Sequence, residues 1–343
     1  PPIALTRCLK SGLDFDVMCQ TLIQHTSSAV AKLDVDGLLS AYQLLDIVCQ
    51  QYVRDALQVV QQCNVPIWHH KLLYSWCAKQ FSPTVGAVIA PSDVLAAHPD
   101  LWAEVQLAEH CGPMLDSVLA GVVAHTAVLF PSGSMEWVLP AYESATTAAF
   151  YNECVVVTVR SIVMHISEEM RITALEIGAG TGGTAGSVLP VFENSCAHYY
   201  FTDVSEFFLR QARIRFAEFP FVEFALLNID AAPALQGFAH HDIDLIIATN
   251  VLHATPFIRN TVENCLRLLR TGGSFVINEG LVTNEYAQIT FGLTDGWWLF
   301  GESCDPERVG QHTPCLSWRQ WQALLVDIGF DQVHCMQGEA TFL

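Results

Sequence analysis

Thr173-Ala174-Leu175-Glu176-Ile177-Gly178-Ala179-Gly180-Thr181-Gly182-Gly183 is the stretch on which the fold turns. A short apolar run gives way to a glycine-rich turn, and a helical pattern follows. Glycines at a strand-to-helix turn let a ligand approach the backbone closely. Gly178, Gly180 and Gly183 also satisfy G-x-G-x-x-G, so the motif alone suits a dinucleotide equally well.

Downstream, further apolar runs read as strands at 198–202, 222–227, 245–249 and 274–278, with a weak one at 332–335. Helical patterns separate them, notably at 207–216 and 259–269, and a helix over 147–170 precedes them. Such alternation predicts an α/β fold, a doubly wound and mainly parallel sheet covered on both faces. Upstream the chain reads as mostly helix. Leu38, Tyr42, Leu45, Cys49, Tyr52, Ala56 and Val60 form one apolar stripe at three- and four-residue spacing. Asp34 or Asp36 suits the start of that helix as a cap. Shorter helices are expected at 70–79, 101–110 and 114–120, and Phe130-Pro131-Ser132-Gly133-Ser134 reads as a hinge. The expected division is a helical unit over 1–146 and an α/β unit over 147–343.

The whole chain has 343 residues, 51% of them apolar and 15% charged, which excludes a disordered polypeptide. Sixteen Lys+Arg stand against 35 Asp+Glu, for a formal net charge of −19. Residues 1–150 carry 6 basic and 13 acidic groups, and residues 151–343 carry 10 and 22. Neither half is the basic module that phosphate binding requires, so nucleic acid is not an expected partner. Mean hydropathy is +0.32, yet no apolar run reaches the ~20 residues needed to span a bilayer. A membrane is not expected either. The ends at Pro1 and Leu343 read as those of a piece cut from a longer polypeptide, with surplus apolar surface facing neighbouring domains. Twelve Cys without a Cys-x-x-Cys pair suit reduced thiols in a cytoplasmic protein. His69-His70 and His110 read as packing or surface residues, because no third ligand shares their spacing; no metal site is expected.

Three features favour S-adenosylmethionine over NAD. Glu176, at the strand end, suits the cofactor's cationic amino-acid end. The additional Gly182 allows close passage beside its methionine portion. A ribose-reading acid is missing at the spacing of about 20 residues that NAD requires. Asp203 instead ends the second strand, where its carboxylate can accept both ribose hydroxyls or cap the next helix. Asn228 and Asp230 end the third strand, as adenine-binding groups or as turn residues. Asn250-Val251-Leu252-His253-Ala254-Thr255 follows the fourth strand and Glu279 closes the fifth. Neighbouring strands lie about 4.8 Å apart, so His253 and Glu279 can meet at the edge that holds the glycine loop. A carboxylate beside an imidazole selects one tautomer and suits it to act as a general base. Such a base next to an electrophilic methyl group implies methylation of a weak acid, either a carbon acid or a hydroxyl.

Residues 175–184, Phe201-Thr202-Asp203-Val204-Ser205, Gln236-Gly237-Phe238, residues 250–255 and residues 291–298 together resemble the carbon-methyltransferase domains of polyketide synthases. The resemblance covers roughly residues 130–335, and residues 111–131 are similar to those domains' helical lid. It implies a class I methyltransferase core of Rossmann-like type under an N-terminal lid, with S-adenosylmethionine as cofactor. The substrate it implies is a β-ketoacyl chain, methylated at the α-carbon on the phosphopantetheine of an acyl carrier protein amid neighbouring synthase domains. His253 and Glu279 match the family's His–Glu pair, and His253 would remove the α-proton. Tyr142, Tyr151 and Asn152 would close over the cofactor, with helix packing as the alternative role. Trp297-Trp298 would line the acyl tunnel or anchor the core. Asn228 departs from the family's acidic residue at the adenine, for which Asp230 is a substitute, and the last sheet strand is missing or incomplete. Arg210, Arg213 and Arg215 are the expected docking cations for an acidic carrier protein. Competing readings are a small-molecule O-methyltransferase, a metal-assisted loading-module methyltransferase with His253 as a ligand, and an inactive spacer.

Overall fold

The computed structural model describes residues 3–7, 15–31, 33–80, 88–165, 171–193 and 195–335. Its strands are β1 (Ile3–Arg7), β2 (Ile172–Ile177), β3 (Cys196–Asp203), β4 (Val222–Leu226), β5 (Ile243–Thr249), β6 (Leu269–Asn278) and β7 (Gln332–Cys335). They form one sheet in the order β4-β3-β2-β5-β6-β1-β7. The five from β4 to β6 in this order are parallel and alternate with helices, the class I methyltransferase arrangement. Leu245-Ile246-Ile247-Ala248 is buried on both faces, which accounts for its unbroken apolar run.

On one face lie α9 (Thr146–His165), α10 (Gly183–Val188) and α11 (Glu206–Arg215). On the other lie α12 (Ile258–Leu268) and α15 (Trp318–Ile328). Ser317 and Gln320 cap the start of α15 reciprocally, and Gly329 ends it at φ +115°.

The two ends of the chain depart from expectation. β1 inserts antiparallel between β6 and β7, so the sheet gains from the N-terminus the strand that the C-terminal sequence lacks. Helix α1 (Phe15–Val30) then packs Cys19 and Leu22 into the core beneath α9. β1 and α1 thus join the sheet layer, not the helical unit expected over 1–146. Residues 166–170, the expected end of the long helix, lie outside the described residues, as do 336–343.

The helical unit contains α2 (Val35–Val59), α3 (Trp68–Gln80), α4 (Pro91–Ala97), α5 (Trp102–Cys111), α6 (Leu115–Leu119), α7 (His125–Leu129) and α8 (Leu139–Glu143). Asp34 caps α2 by accepting from the Gly37 N–H at 2.9 Å. The stripe from Leu38 to Val60 is the spine of this unit's core. That core is completed by a segment from the other half, α13 (Glu285–Ile289) with the turns through 291–298 and α14 (Leu299–Glu302). Cys49, Cys77, Cys111, Cys265 and Cys315 are buried thiols, and burial pushes Cys77, Cys111 and Cys315 up to about 12, which keeps them inert. Among the described residues no helix is long and apolar enough to cross a membrane.

Lid and sheet meet at a close backbone contact. A Cβ placed on Gly183 would lie 2.8 Å from the Tyr142 carbonyl oxygen. Asn152 fastens the same seam, donating to the Tyr142 carbonyl at 3.0 Å and accepting from Thr184 Oγ1 at 3.0 Å. Gly183→Ala should therefore destabilise the protein by about 1–3 kcal/mol, as overpacking against backbone does. The check is a lower urea midpoint with an unchanged slope.

Candidate functional site

The carboxyl ends of β2, β5 and β6 face one opening, at the point where the strand order reverses direction. Thr249 pairs with Asn278, so the loop after β5 lies beside the residue that closes β6. Asn250 turns that loop at φ +49° and donates its N–H to the Asn278 carbonyl at 2.8 Å. Glu279, 1% exposed, then takes three donors. Its Oε1 accepts from the Val251 and Leu252 amides at 2.7 and 2.6 Å, and its Oε2 meets His253 Nδ1 at 2.6 Å. A carboxylate only accepts, so Nδ1 carries the hydrogen, and in the neutral ring this leaves the lone pair on Nε2.

A second support came without any sequence signal. Arg308 is 2% exposed and donates to the carbonyls of His253 at 2.7 Å and Thr255 at 2.5 Å. Its Nε pairs with Asp305 at 2.6 Å. Burial lowers the guanidinium's pKa, and the Asp305 charge opposes that shift. The His253 loop is thus held from one side by Glu279 and from the other by Arg308.

Two cavities adjoin the loop. The first, about 420 Å³, runs along Gly178, Ala179, Gly180 and Thr181 and under Tyr142, Tyr151 and Asn152. The second, about 380 Å³, lies between Leu39, Gln43 and Asp46 of α2 and Gly280, Val282 and Asn284 after β6. His253, Asn250, Tyr142, Tyr286 and Trp297 line both. Trp297 meets the His253 ring edge-on at 5.4 Å between centroids. Trp298 is the anchor of the pair, buried and donating to the Gly292 carbonyl at 2.8 Å.

Among the described residues the first cavity is lined by acidic groups, Glu104 and Glu176, and not by Lys or Arg. Four of its lining residues also contribute buried atoms without a hydrogen-bond partner: Glu104 Oε2, Thr249 Oγ1, Asn278 Oδ1 and Tyr286 Oη. Tyr42 donates to Glu104 Oε1 at 2.8 Å, and Thr147 joins the pair. Sequence reading missed Tyr42, Glu104, Thr147 and Tyr286, which come from four separate helices. Glu176 accepts from Tyr199 at 2.7 Å. Burial, with the Asp203 charge adding to it, pushes Glu176 up to about 8.

The other expected cofactor residues sit differently. Gly182 does not line the cavity; at φ +76° a Cβ there would strike the Phe216 ring at 2.7 Å. Its role is packing at the start of α10, and Gly183 makes the close approach instead. Asp203 braces the glycine loop, its Oδ2 accepting from Gly180 at 3.0 Å and its Oδ1 from Ser205 at 2.8 Å. Asn228 is an exposed turn residue whose side chain accepts from the Asp230 N–H at 3.0 Å. Asp230 accepts from Thr261 Oγ1 at 2.7 Å. None of these three lines the first cavity. Of the expected docking cations, Arg215 is committed to Glu143 and the Thr181 carbonyl, and Arg213 to Glu206. Arg210 is exposed.

Residues 175–275 match the family model described as "Methyltransferase domain". The chain is 37% identical over 223 residues to polyketide synthase ThaG of Burkholderia thailandensis, covering 64% of this chain and 4% of that synthase. Across such curated relatives the chain spans between 4% and 13% of their length. Among solved structures, the CurJ carbon methyltransferase superposes with a TM-score of 0.83 at 26% identity, covering 91% of each chain. The trans-methyltransferase CalH in complex with SAH shares the fold at TM-score 0.68 and 23% identity, over 88% of this chain and 86% of that one.

Arg308→Met should cost about 3–5 kcal/mol, because it strands Asp305 as an uncompensated buried charge. Arg308→Lys should fall between, and denaturant melts will rank the three proteins. Glu176 generates a pH effect. Between its ordinary value near 4.5 and about 8 the folded chain binds a proton that the unfolded chain has released. Glu176 therefore withdraws stability as pH rises through that window. Thermal melts from pH 5 to 8 should show a shallower decline in Glu176→Gln than in the parent.

Proposed function

Because the chain is a carbon-methyltransferase domain of the kind built into polyketide synthases, we propose that it methylates the α-carbon of a β-ketoacyl or malonyl-type thioester on an acyl carrier protein. The donor is S-adenosylmethionine and His253 is the general base. One observation carries this reading: His253 is common wall to a glycine-lined cavity and to a second cavity that adjoins it. Donor and acceptor can then be held in two cavities that meet at one imidazole.

The first cavity suits the donor by charge and by its four unpartnered polar atoms. When bound, the donor supplies a methyl group on a positive sulfur, which becomes a neutral thioether on transfer. Glu176, Gly178, Gly180, Tyr142, Tyr151, Asn152 and Asn250 would hold it. Asp203, Asn228 and Asp230 would serve the ribose and adenine end; each Asp203 oxygen retains a lone pair beyond its amide.

The acceptor's α-hydrogen lies between two carbonyl groups and is acidic for a C–H bond. His253 Nε2 takes that proton. The freed electron pair would form the new bond to the methyl carbon supplied by the bound donor, whose sulfur would keep the pair of the bond it gives up. The imidazolium is offset by Glu279 and later passes its proton to solvent. Holding both reactants against one base removes the entropic cost of bringing them together. In a full synthase, tethering of the carrier protein supplies effective concentration in place of a strong docking surface. This suits a chain that carries 16 Lys+Arg against 35 Asp+Glu.

His253→Ala should lower turnover by about 10²–10⁴-fold while calorimetric binding of S-adenosylmethionine persists. Glu279→Gln should slow transfer without ending it. The assay is intact-mass analysis of carrier protein loaded with a β-ketoacyl group, followed by fragmentation to locate the methyl group. Methylation only at the enol oxygen would contradict the proposal.

A further inference from the structure

Three histidines of the lid converge away from the two cavities. His69 and His70 are consecutive on α3, and His125 begins α7. Each offers a ring nitrogen, and the three nitrogens lie within 4.8 Å of one another. The rings are in mutual contact, with centroids 4.3 Å apart for His69–His70, 5.4 Å for His69–His125 and 5.9 Å for His70–His125.

What sets them apart from packing residues is their hydrogen bonding. His69 is 5% exposed and His70 fully buried, yet none of their four ring nitrogens makes a hydrogen bond of acceptable geometry. The Leu293 carbonyl approaches both rings and the Val118 carbonyl approaches His70, without closing such a bond. Buried polar atoms are almost always paired, so four orphans on adjacent side chains call for a ligand. Burial lowers the pKa of all three histidines, and the neighbouring rings add to that shift at His69 and His70. Asp295 is the acidic group that acts on His69 and His125 from the facing turn.

We infer that His69, His70 and His125 form a binding site for a divalent transition-metal ion, with zinc as its best fit. Imidazole donors select zinc, copper or nickel over calcium or magnesium. Zinc imposes no geometry through its d electrons and sits about 2.0–2.1 Å from each nitrogen. Around such an ion the nitrogens would stand about 3.3 Å apart in a tetrahedron, so the three rings would draw together from their present spacing of up to 4.8 Å. A water molecule or the Asp295 carboxylate completes the fourth position.

The location gives the ion a purpose. It ties α3 and α7 to the turn following Leu293, whose Asp295 accepts from the Gly296 N–H at 2.9 Å. The same turn carries Trp297, the side chain that lines both cavities beside His253. The ion would fix the wall of the acceptor cavity from behind without touching either reactant.

The test uses the full chain, stripped with chelator, desalted and titrated with zinc alone. Elemental analysis after gel filtration should give one zinc per chain, and cobalt should substitute with the visible spectrum of a tetrahedral site. His125→Ala, at a half-buried helix start, should weaken zinc binding by at least about tenfold. His70→Asn should do the same, with circular dichroism verifying its fold. Chelator should lower the melting temperature of the parent but not of His125→Ala. His253→Ala should keep its zinc. No stoichiometric zinc in the parent, full affinity in His125→Ala, or loss of zinc in His253→Ala would each overturn the inference.

Discussion

Three hydrogen bonds to one carboxylate organise the site. Glu279 takes two consecutive backbone amides and an imidazole nitrogen, so the His253 loop cannot shift without stranding a buried charge. Leaving such a charge unpaired costs several kcal/mol. The arrangement exists only because β5 and β6 pair in the register that sets Thr249 opposite Asn278. A slip of one residue would turn Glu279 to the other face of the sheet. Arg308 completes the brace by holding the loop's carbonyls. The imidazole's position is therefore specified by the sheet itself.

The lid turns this positioned base into a shared boundary. Tyr142, from α8, lines both cavities, and its carbonyl is held by Asn152. Burial, followed by the Glu279 charge, raises the Tyr142 pKa, so its hydroxyl stays neutral. On the acceptor side, burial and the neighbouring Glu285 charge raise Asp46, which keeps this cavity from presenting a full negative charge to a thioester. On the donor side burial raises Glu104 and Glu176 in the same way, and a bound cation would draw both towards their charged forms.

The five parallel strands were legible because strands buried on both faces read as unbroken apolar runs. The glycine turn and the His253–Glu279 pair were legible because each sits immediately after such a run. β1 was not legible: five residues, Ile3-Ala4-Leu5-Thr6-Arg7, carry no turn signal that marks them as sheet. Arg308 sits in Asp305-Pro306-Glu307-Arg308, which has the composition of a surface turn, and only burial against the His253 loop reveals its role. His125 is 55 residues beyond His70, so linear spacing hid the third member of their cluster. The adenine-side residues were read from position along the strands. Position placed them at their edge of the sheet, and the local turn and cap roles read as alternatives agree with the bonds that Asn228 and Asp203 make to the Asp230 and Ser205 amides.

The lid's hydrophobic core closes only with Tyr286, Ile289, Leu293, Trp297, Trp298 and Phe300, contributed from far along the chain. Asp46 accepts from the Tyr286 amide across 240 residues, and Gln50 donates to Glu285 across 235. Contacts of such separation make folding slow, because long loops must close before burial rewards them. During synthesis, which proceeds at about 5–20 residues per second, α2 waits with part of its apolar stripe uncovered until residue 300 has emerged. The order of translation thereby becomes part of how this site is assembled.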